Sequence, residues 1–226
     1  LVASAWVLHL MGMWGVRTNG PKIAALAERL MVERDRSTNA LLRAGILKYK
    51  KGSGGDTQKD MARVKALVES AYRNGGITLP TTDKGATSTA KETLLDAPVA
   101  GQPTQLMTAT DGTTEYVPVL QILAGISAIE HNLNTYVGAL TQGTTVPITP
   151  RWPLVATGRT ACGAPNLQNM PREGGWRECL QPRPGTVYIN TDYNTIELRA
   201  LAQTCLDWFG RSALAEAMNN GVDPHL

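Results

Sequence analysis

Cysteine is scarce in this sequence, and what there is cannot build a scaffold. Cys162, Cys179 and Cys205 are odd in number and too widely spaced for a zinc site or a disulfide framework. A reduced, intracellular setting is therefore the expectation. Long hydrophobic runs are missing too. The most apolar stretch, residues 1–16, falls short of the roughly 18–20 residues a membrane span needs. It has no basic segment ahead of it, as a signal peptide would. A buried amphipathic helix is expected there, and no membrane partner. Neither charge dominates: 22 Lys+Arg against 19 Asp+Glu leave +3, too little to argue for a polyanionic partner. No internal repeat is visible, and the chain opens on Leu1 rather than Met, which points to sequence upstream.

What is present is an ordinary globular composition, 226 residues with 42% hydrophobic and 18% charged. That length allows one large domain or two small ones. The charge is uneven. Eight basic residues stand against three acidic ones between Arg43 and Arg73, leaving the rest of the chain slightly acidic. A local basic excess suits a polyanion, although a solvated helical face with a basic turn has the same composition.

Apolar spacing predicts a helix from Pro21, with Ile23, Leu26, Ala27, Leu30 and Met31 on one stripe. Ser37 or Asn39 is placed to cap a second, shorter helix through Leu47. Residues 48–56 read as a glycine-rich turn or tip. A third helix carries Met61, Val64, Leu67, Val68 and Ala71 and stops at Asn74-Gly75-Gly76. Thr89 and Glu92 have capping-box spacing before Leu94. Residues 97–114 read as a loop, and residues 114–140 as a long helix with Pro118 in its first turn. A loop over 141–150 follows. Residues 186–192 alternate and are β-branched, which predicts a strand. It runs into helices over 195–207 and about 211–218. The fold class expected is α+β with a mostly helical front half.

The chemistry concentrates at the end of that strand, in Asp192-Tyr193-Asn194-Thr195-Ile196-Glu197-Leu198-Arg199. A carboxylate held there on rigid backbone can present a hard metal ion to a cleft. Mg²⁺ takes one or two protein carboxylates and leaves its other positions to water and phosphate. Taken alone, Asp192 and Glu197 could equally be surface charges. The string closely resembles motif A of family A DNA polymerases, usually Asp-Tyr-Ser-Gln-Ile-Glu-Leu-Arg, with six of eight positions matching. Upstream, Thr157-Gly158-Arg159-Thr160 and the run from Pro165 through Asn166, Leu167, Gln168, Asn169 and Met170 to Pro171 are similar to that family's Thr-Gly-Arg and Pro-Asn-Leu-Gln-Asn-Ile-Pro signature. Residues 79–85 with Ser88, Thr89 and Ala90 look like its thumb segment. Gly15-Val16 looks like the helix end that opens the thumb, with Gly12 where the family often has Glu.

The resemblance, of the bacterial polymerase I type and compatible with a phage-encoded protein, implies roles residue by residue. Asp192, with the Tyr193 carbonyl, would bind the two catalytic Mg²⁺ ions of template-directed DNA synthesis, and Glu197 would exclude a ribose 2′-OH. Arg199 completes the catalytic motif. Arg159, Asn166, Gln168 and Asn169 would line the minor groove of the primer–template, where acceptors are shared by all correct pairs. Read alone, these are a polar turn satisfying its own backbone. Lys48, Lys50 and Lys51 would grip duplex phosphates. Arg172, Glu197 and His225 would meet the deoxynucleoside triphosphate, His225 within a segment similar to Gly-x-Asp-Ile-His. Arg177 resembles the family's Arg ahead of the strand, and a structural salt bridge fits it at least as well.

In domain terms the resemblance implies a palm-proximal helix over 1–16, a thumb over 17–140 with its basic tip near 48–59, and the N-terminal part of the palm over 141–226. The palm would be an antiparallel sheet with packed helices. The fingers helix and the second palm carboxylate would lie beyond Leu226, so the remainder of the polymerase is an expected partner, with primer–template DNA and deoxynucleoside triphosphates. The expected location is the cytoplasm, at the nucleoid or in an infected cell. A non-catalytic primer–template binding module is the competing expectation. A single-subunit RNA polymerase is disfavoured by Glu197.

Overall fold

The computed structural model describes residues 2–52, 54–108, 112–192 and 194–222, except for the side chains of residues 2–5. The chain divides between Arg183 and Pro184 into two compact units.

In the first unit, α1 (Val2–Trp14) ends at Gly15, whose φ of +61° lets the chain turn. A Cβ on Gly15 would come within 2.6 Å of the Ile148 carbonyl oxygen. That carbonyl accepts from the Val16 N–H at 2.8 Å, so only glycine allows the pairing. The helix itself departs from expectation. Trp6, Val7, Met11, Met13 and Trp14 are exposed, because its apolar residues run all round the cylinder instead of forming one stripe. β1 (Arg17–Thr18) pairs antiparallel with β6 (Leu180–Gln181), and Thr18 Oγ1 donates to the Leu140 carbonyl at 2.6 Å.

Asn19 caps α2 (Gly20–Arg43), accepting from the Lys22 N–H, with proline in the first turn. One helix of 24 residues replaces the two expected. Ser37 is a good cap only where a breaker precedes it. Here none does, and it lies buried mid-helix. β2 (Leu47–Tyr49) and β3 (Thr57–Lys59) form a hairpin where only a turn was expected. Asp60 caps α3 (Met61–Asn74), which buries Val64, Val68, Ala71 and Tyr72 and stops at Gly75-Gly76 as its spacing predicts. α4 (Lys91–Leu95) starts from Ala90 without a side-chain cap. The Thr89 capping box does not form; Ser88 Oγ accepts from the Ala90 N–H instead and pairs with Thr93 Oγ1.

Residues 97–114 are not all loop. β4 (Thr104–Thr108) pairs with β5 (Thr114–Pro118), Leu106 opposite Tyr116. The long helix therefore begins five residues late, as α5 (Val119–Asn132), and passes through a π-helical turn, Leu133–Val137, into α6 (Gly138–Gln142). Pro118 fixes the entry, and Gln102 completes it. Its Oε1 accepts from the Leu120 N–H at 3.0 Å while its Nε2 donates to the Pro98 carbonyl at 2.7 Å. A remote side chain thereby satisfies one of the helix's orphan donors.

Two apolar clusters hold this unit. Leu41, Ile46, Val64, Val68, Leu120 and Ile126 belong to one; Ile23, Leu26, Leu30, Ile129, Leu140, Met170 and Trp176 to the other. The N-terminal half of α2 shares a cluster with the C-terminal end of α5, and its C-terminal half with the start of α5. The two helices thus run antiparallel and span both cores.

In the second unit, residues 186–192 carry neither strand nor helix. Alternation chooses the faces of a strand but supplies no neighbour for its backbone, and a strand forms only with one. α7 (Ile196–Phe209) ends at Gly210 with φ +68°, and Ser212 caps α8 (Ala213–Asn219). Helices and two-stranded antiparallel sheets mix in this chain, as the α+β expectation holds. No helix among the described residues is long and apolar enough to cross a membrane.

Candidate functional site

The polar residues singled out between 157 and 171 are drawn together by the loop they occupy. Residues 151–163 fold back on themselves through bridges at Arg151–Gly163 and Leu154–Thr160, with Arg159 exposed at the tip. Thr160 and Cys162, two apart on an extended segment, face the same side. Thr160 Oγ1 accepts from Gln168 Nε2 at 3.2 Å. Cys162 Sγ accepts from the Leu167 N–H at 3.3 Å and donates to the Pro165 carbonyl at 3.5 Å. The same Leu167 N–H reaches the Pro165 carbonyl at 3.1 Å. Asn166 Oδ1 caps the 3₁₀ turn Leu167–Asn169 by accepting from the Asn169 N–H at 3.2 Å. Asn166 therefore works on its own backbone, whereas the Gln168 and Asn169 side chains stand at the surface.

Below the turn, Met170 is buried in the second cluster, and Trp176 packs edge-on against Tyr136 with centroids 5.8 Å apart. Arg29 on α2 donates to the Gly174 carbonyl, so the loop after Pro171 is tied to a long helix. Arg172 is exposed on that loop, and Arg177 is exposed on the 3₁₀ turn Arg177–Cys179. Cys179 is fully buried; burial chiefly pushes its thiol above the usual range, helped by Glu178 and opposed by Lys22 and Arg29.

The basic tip lies on the β2–β3 hairpin. Lys48 Nζ meets Asp60 Oδ2 at 2.5 Å, and this hydrogen bond is the main reason the Asp60 carboxyl sits below its usual value. Part of the charge counted toward phosphate binding is therefore already matched inside the protein. Lys50 and Lys51 are exposed.

In the second unit, Asp192, Glu197 and Arg199 are all exposed. Asp192 lies on the extended approach, Glu197 and Arg199 in the first turn of α7. Thr195, the residue that turns one into the other, holds φ +52° and ψ +37°. That left-handed conformation is uncommon for a β-branched residue and stores strain at the turn. Arg199 Nε donates to the Asn194 carbonyl at 3.0 Å, closing the turn from the helix side. Tyr193 and His225 lie outside the described residues. No group of three or more His, Cys, Asp or Glu able to hold a metal ion occurs among the described residues. The 192–197 turn offers carboxylate oxygens with no imidazole or thiol among its residues, a donor set suited to Mg²⁺ rather than zinc.

Sequence reasoning gave no role at the turn to Thr160, Cys162 or Arg29, whose bonds hold it in place. The two-residue spacing of Thr160 and Cys162 in an extended segment is the available signal. The path of the loop that brings Leu167 and Gln168 to them is not.

The family model for DNA polymerase family A matches residues 82–226. The chain is similar to DNA polymerase I of Caldicellulosiruptor bescii, 45% identical over 74 residues, which is 31% of this chain and 8% of that protein. In fold it is similar to the POL domain of Pol1 from M. smegmatis, solved in complex with DNA primer-template and dNTP. The TM-score is 0.57 at 23% identity, covering 96% of this chain and 35% of that one. The chain thus spans a small part of the curated relative and about a third of the solved structure.

Proposed function

The chain belongs to DNA polymerase family A, and we propose on that basis that it contributes to template-directed DNA synthesis, adding deoxynucleotides to a primer 3′-OH. The observation that carries this reading is the motif at 192–199, whose one carboxylate precedes a strained turn and whose other opens a helix. Residues 17–140 are read as thumb, with the tip at 48–59, and residues 1–16 and 141–226 as palm elements. The remainder of the polymerase would supply the fingers and the second metal-binding carboxylate.

In this reading Asp192 would hold Mg²⁺ together with the Tyr193 carbonyl. The chemistry that two bound Mg²⁺ ions supply is activation of the primer 3′-OH and neutralisation of charge on the triphosphate and departing pyrophosphate. Glu197 packs against the sugar of the incoming nucleotide and leaves no room for a 2′-OH. Arg199 braces the turn between them through the Asn194 carbonyl. Arg159, Gln168 and Asn169 face the minor groove near the primer terminus, where donors test pair shape without reading sequence; Asn166 shapes the turn that presents them. Arg172 and His225 meet the triphosphate, and Lys48, Lys50 and Lys51 track the duplex phosphates.

One observation favours a second reading, a primer–template binding module without catalysis. The polar turn belongs to the well-packed first unit, while the carboxylates sit on a unit with little core of its own. Primer extension separates the two. The chain is assayed with Mg²⁺ and deoxynucleotides, alone and mixed with a fragment supplying the missing motifs, as wild type and as Asp192→Ala. Extension by the wild-type mixture, reduced about a thousandfold or more in the variant, supports catalysis with Asp192 as metal ligand. Retention of primer–template without extension by either protein supports the binding module.

A further inference from the structure

Cys162 is the one buried cysteine whose sulfur bonds into a candidate site. It is 7% exposed, and its neighbours on both sides of the chain, Ala161 and Gly163, offer no polar side chain. Its Sγ acts twice on the same short turn, accepting from Leu167 and donating to Pro165. Thr160, on the same side of the segment, grips Gln168 one residue further along. The three bonds form a latch between the extended segment that follows Arg159 and the turn that carries Asn166, Gln168 and Asn169. A latch of this kind fixes where the turn's exposed amides stand relative to Arg159. Both latch residues bond to the turn itself, so their effect passes through Gln168 and Asn169.

We propose that Cys162 is a positioning residue for duplex recognition: with Thr160 it sets the register of the Asn166–Asn169 turn against Arg159, so that the exposed amides of Gln168 and Asn169 meet the minor groove together. This rests on the proposed primer–template role of that turn. Cys162→Ala removes both sulfur bonds and leaves a gap beneath the turn; Cys162→Ser keeps a donor and an acceptor at nearly the same place.

The test measures binding of fluorescent primer–template to the full chain by anisotropy, for wild type, Cys162→Ala, Cys162→Ser, Gln168→Ala and the Cys162→Ala/Gln168→Ala double variant. Thermal melting confirms that each is folded. Cys162→Ala is expected to weaken binding about three- to tenfold. Cys162→Ser is expected to restore it to within about twofold. The double variant is expected to lose less than the product of the single losses, since both act through one turn. Equal binding by wild type and Cys162→Ala overturns the proposal. So does a loss that multiplies fully with that of Gln168→Ala, because it would mark a general structural role. If wild type retains no primer–template, the functional reading fails, and amide exchange in the free protein still decides the positioning. Faster exchange at Leu167 and Asn169 in Cys162→Ala upholds the latch, and unchanged exchange overturns it.

Discussion

Residues 1–183 close around two apolar clusters that share the antiparallel helices α2 and α5, with Leu41, Ile46, Leu120 and Leu140 fully buried. Residues 184–222 bury only Ala202 and Ser212 among those described, and expose Ile196, Leu201, Trp208 and Phe209 along α7. Both units contain periodic amphipathic helices, so the difference does not come from local propensity. It comes from whether a helix face has an opposing surface in the same unit. The polar turn at 165–170 inherits the rigidity of the first unit through Met170 and Trp176. At 194–199 the Thr195 turn is closed by the Arg199–Asn194 bond. The polar turn thus sits over a core, and the carboxylates sit where local opening is cheapest.

Truncation mutants break this comparison most directly if it is wrong. Leu41→Ala and Leu120→Ala each remove a fully buried side chain and should cost ~2–5 kcal/mol. Leu201→Ala, at a position 53% exposed, should change stability by less than about 0.5 kcal/mol. Urea unfolding followed by tryptophan emission reads both. Trp176 is 3% exposed and Trp208, the only tryptophan of the second unit, is 76% exposed. A Trp208→Phe background therefore isolates the first unit. A Leu201→Ala cost comparable to that of Leu120→Ala would show that the second unit has a core after all.

The comparison also sorts what the sequence could say. α3 and α5 are legible because their apolar residues repeat over three or more turns and end at glycine or follow proline. The β2–β3 hairpin is not, since Lys48, Tyr49, Gln58 and Lys59 show no alternation to mark a buried face. The β4–β5 hairpin carried a usable sign, Asp111-Gly112 between two short runs, outweighed by the Pro and Gly around it. Residues 186–192 have strand composition, yet pairing is a non-local property and no sequence pattern guarantees a neighbour. At the site, the residue strings were legible as a family signature. The Cys162, Thr160 and Arg29 bonds were not, because each joins a side chain to a loop whose path only the fold determines.

A smaller effect sharpens the picture within the first unit. Gln102 links the loop before β4 to the first turn of α5 by three bonds, to Ala97, Pro98 and Leu120. Gln102→Ala leaves the Leu120 N–H without its acceptor in a buried setting, at a cost of about 1–3 kcal/mol. The loss should appear in the first unit's tryptophan transition, in the Trp208→Phe background, as a lower urea midpoint with unchanged slope. A changed slope would mean instead that α5 frays independently of the cluster it spans.

The finest distinction is acid sensitivity, and it falls on the first unit. Asp60 accepts from the Lys48 ammonium and from the Arg63 N–H at the start of α3, and its carboxyl lies below its usual value of 3.8 in consequence. A depressed folded value means that the stabilisation is complete above the unfolded value and is lost as pH falls through the folded one. Asp60→Asn keeps an N-cap side chain of equal quality for the Arg63 N–H and removes the charge together with the oxygen that accepts from Lys48. The variant should therefore melt slightly below wild type at pH 5–7, with the gap closing as pH falls below about 4. Because Asp60 is partly solvated, the gap should also shrink in high salt. A gap that persists unchanged at low pH would assign the loss to capping geometry, and the Lys48 ammonium would then remain available to a phosphate.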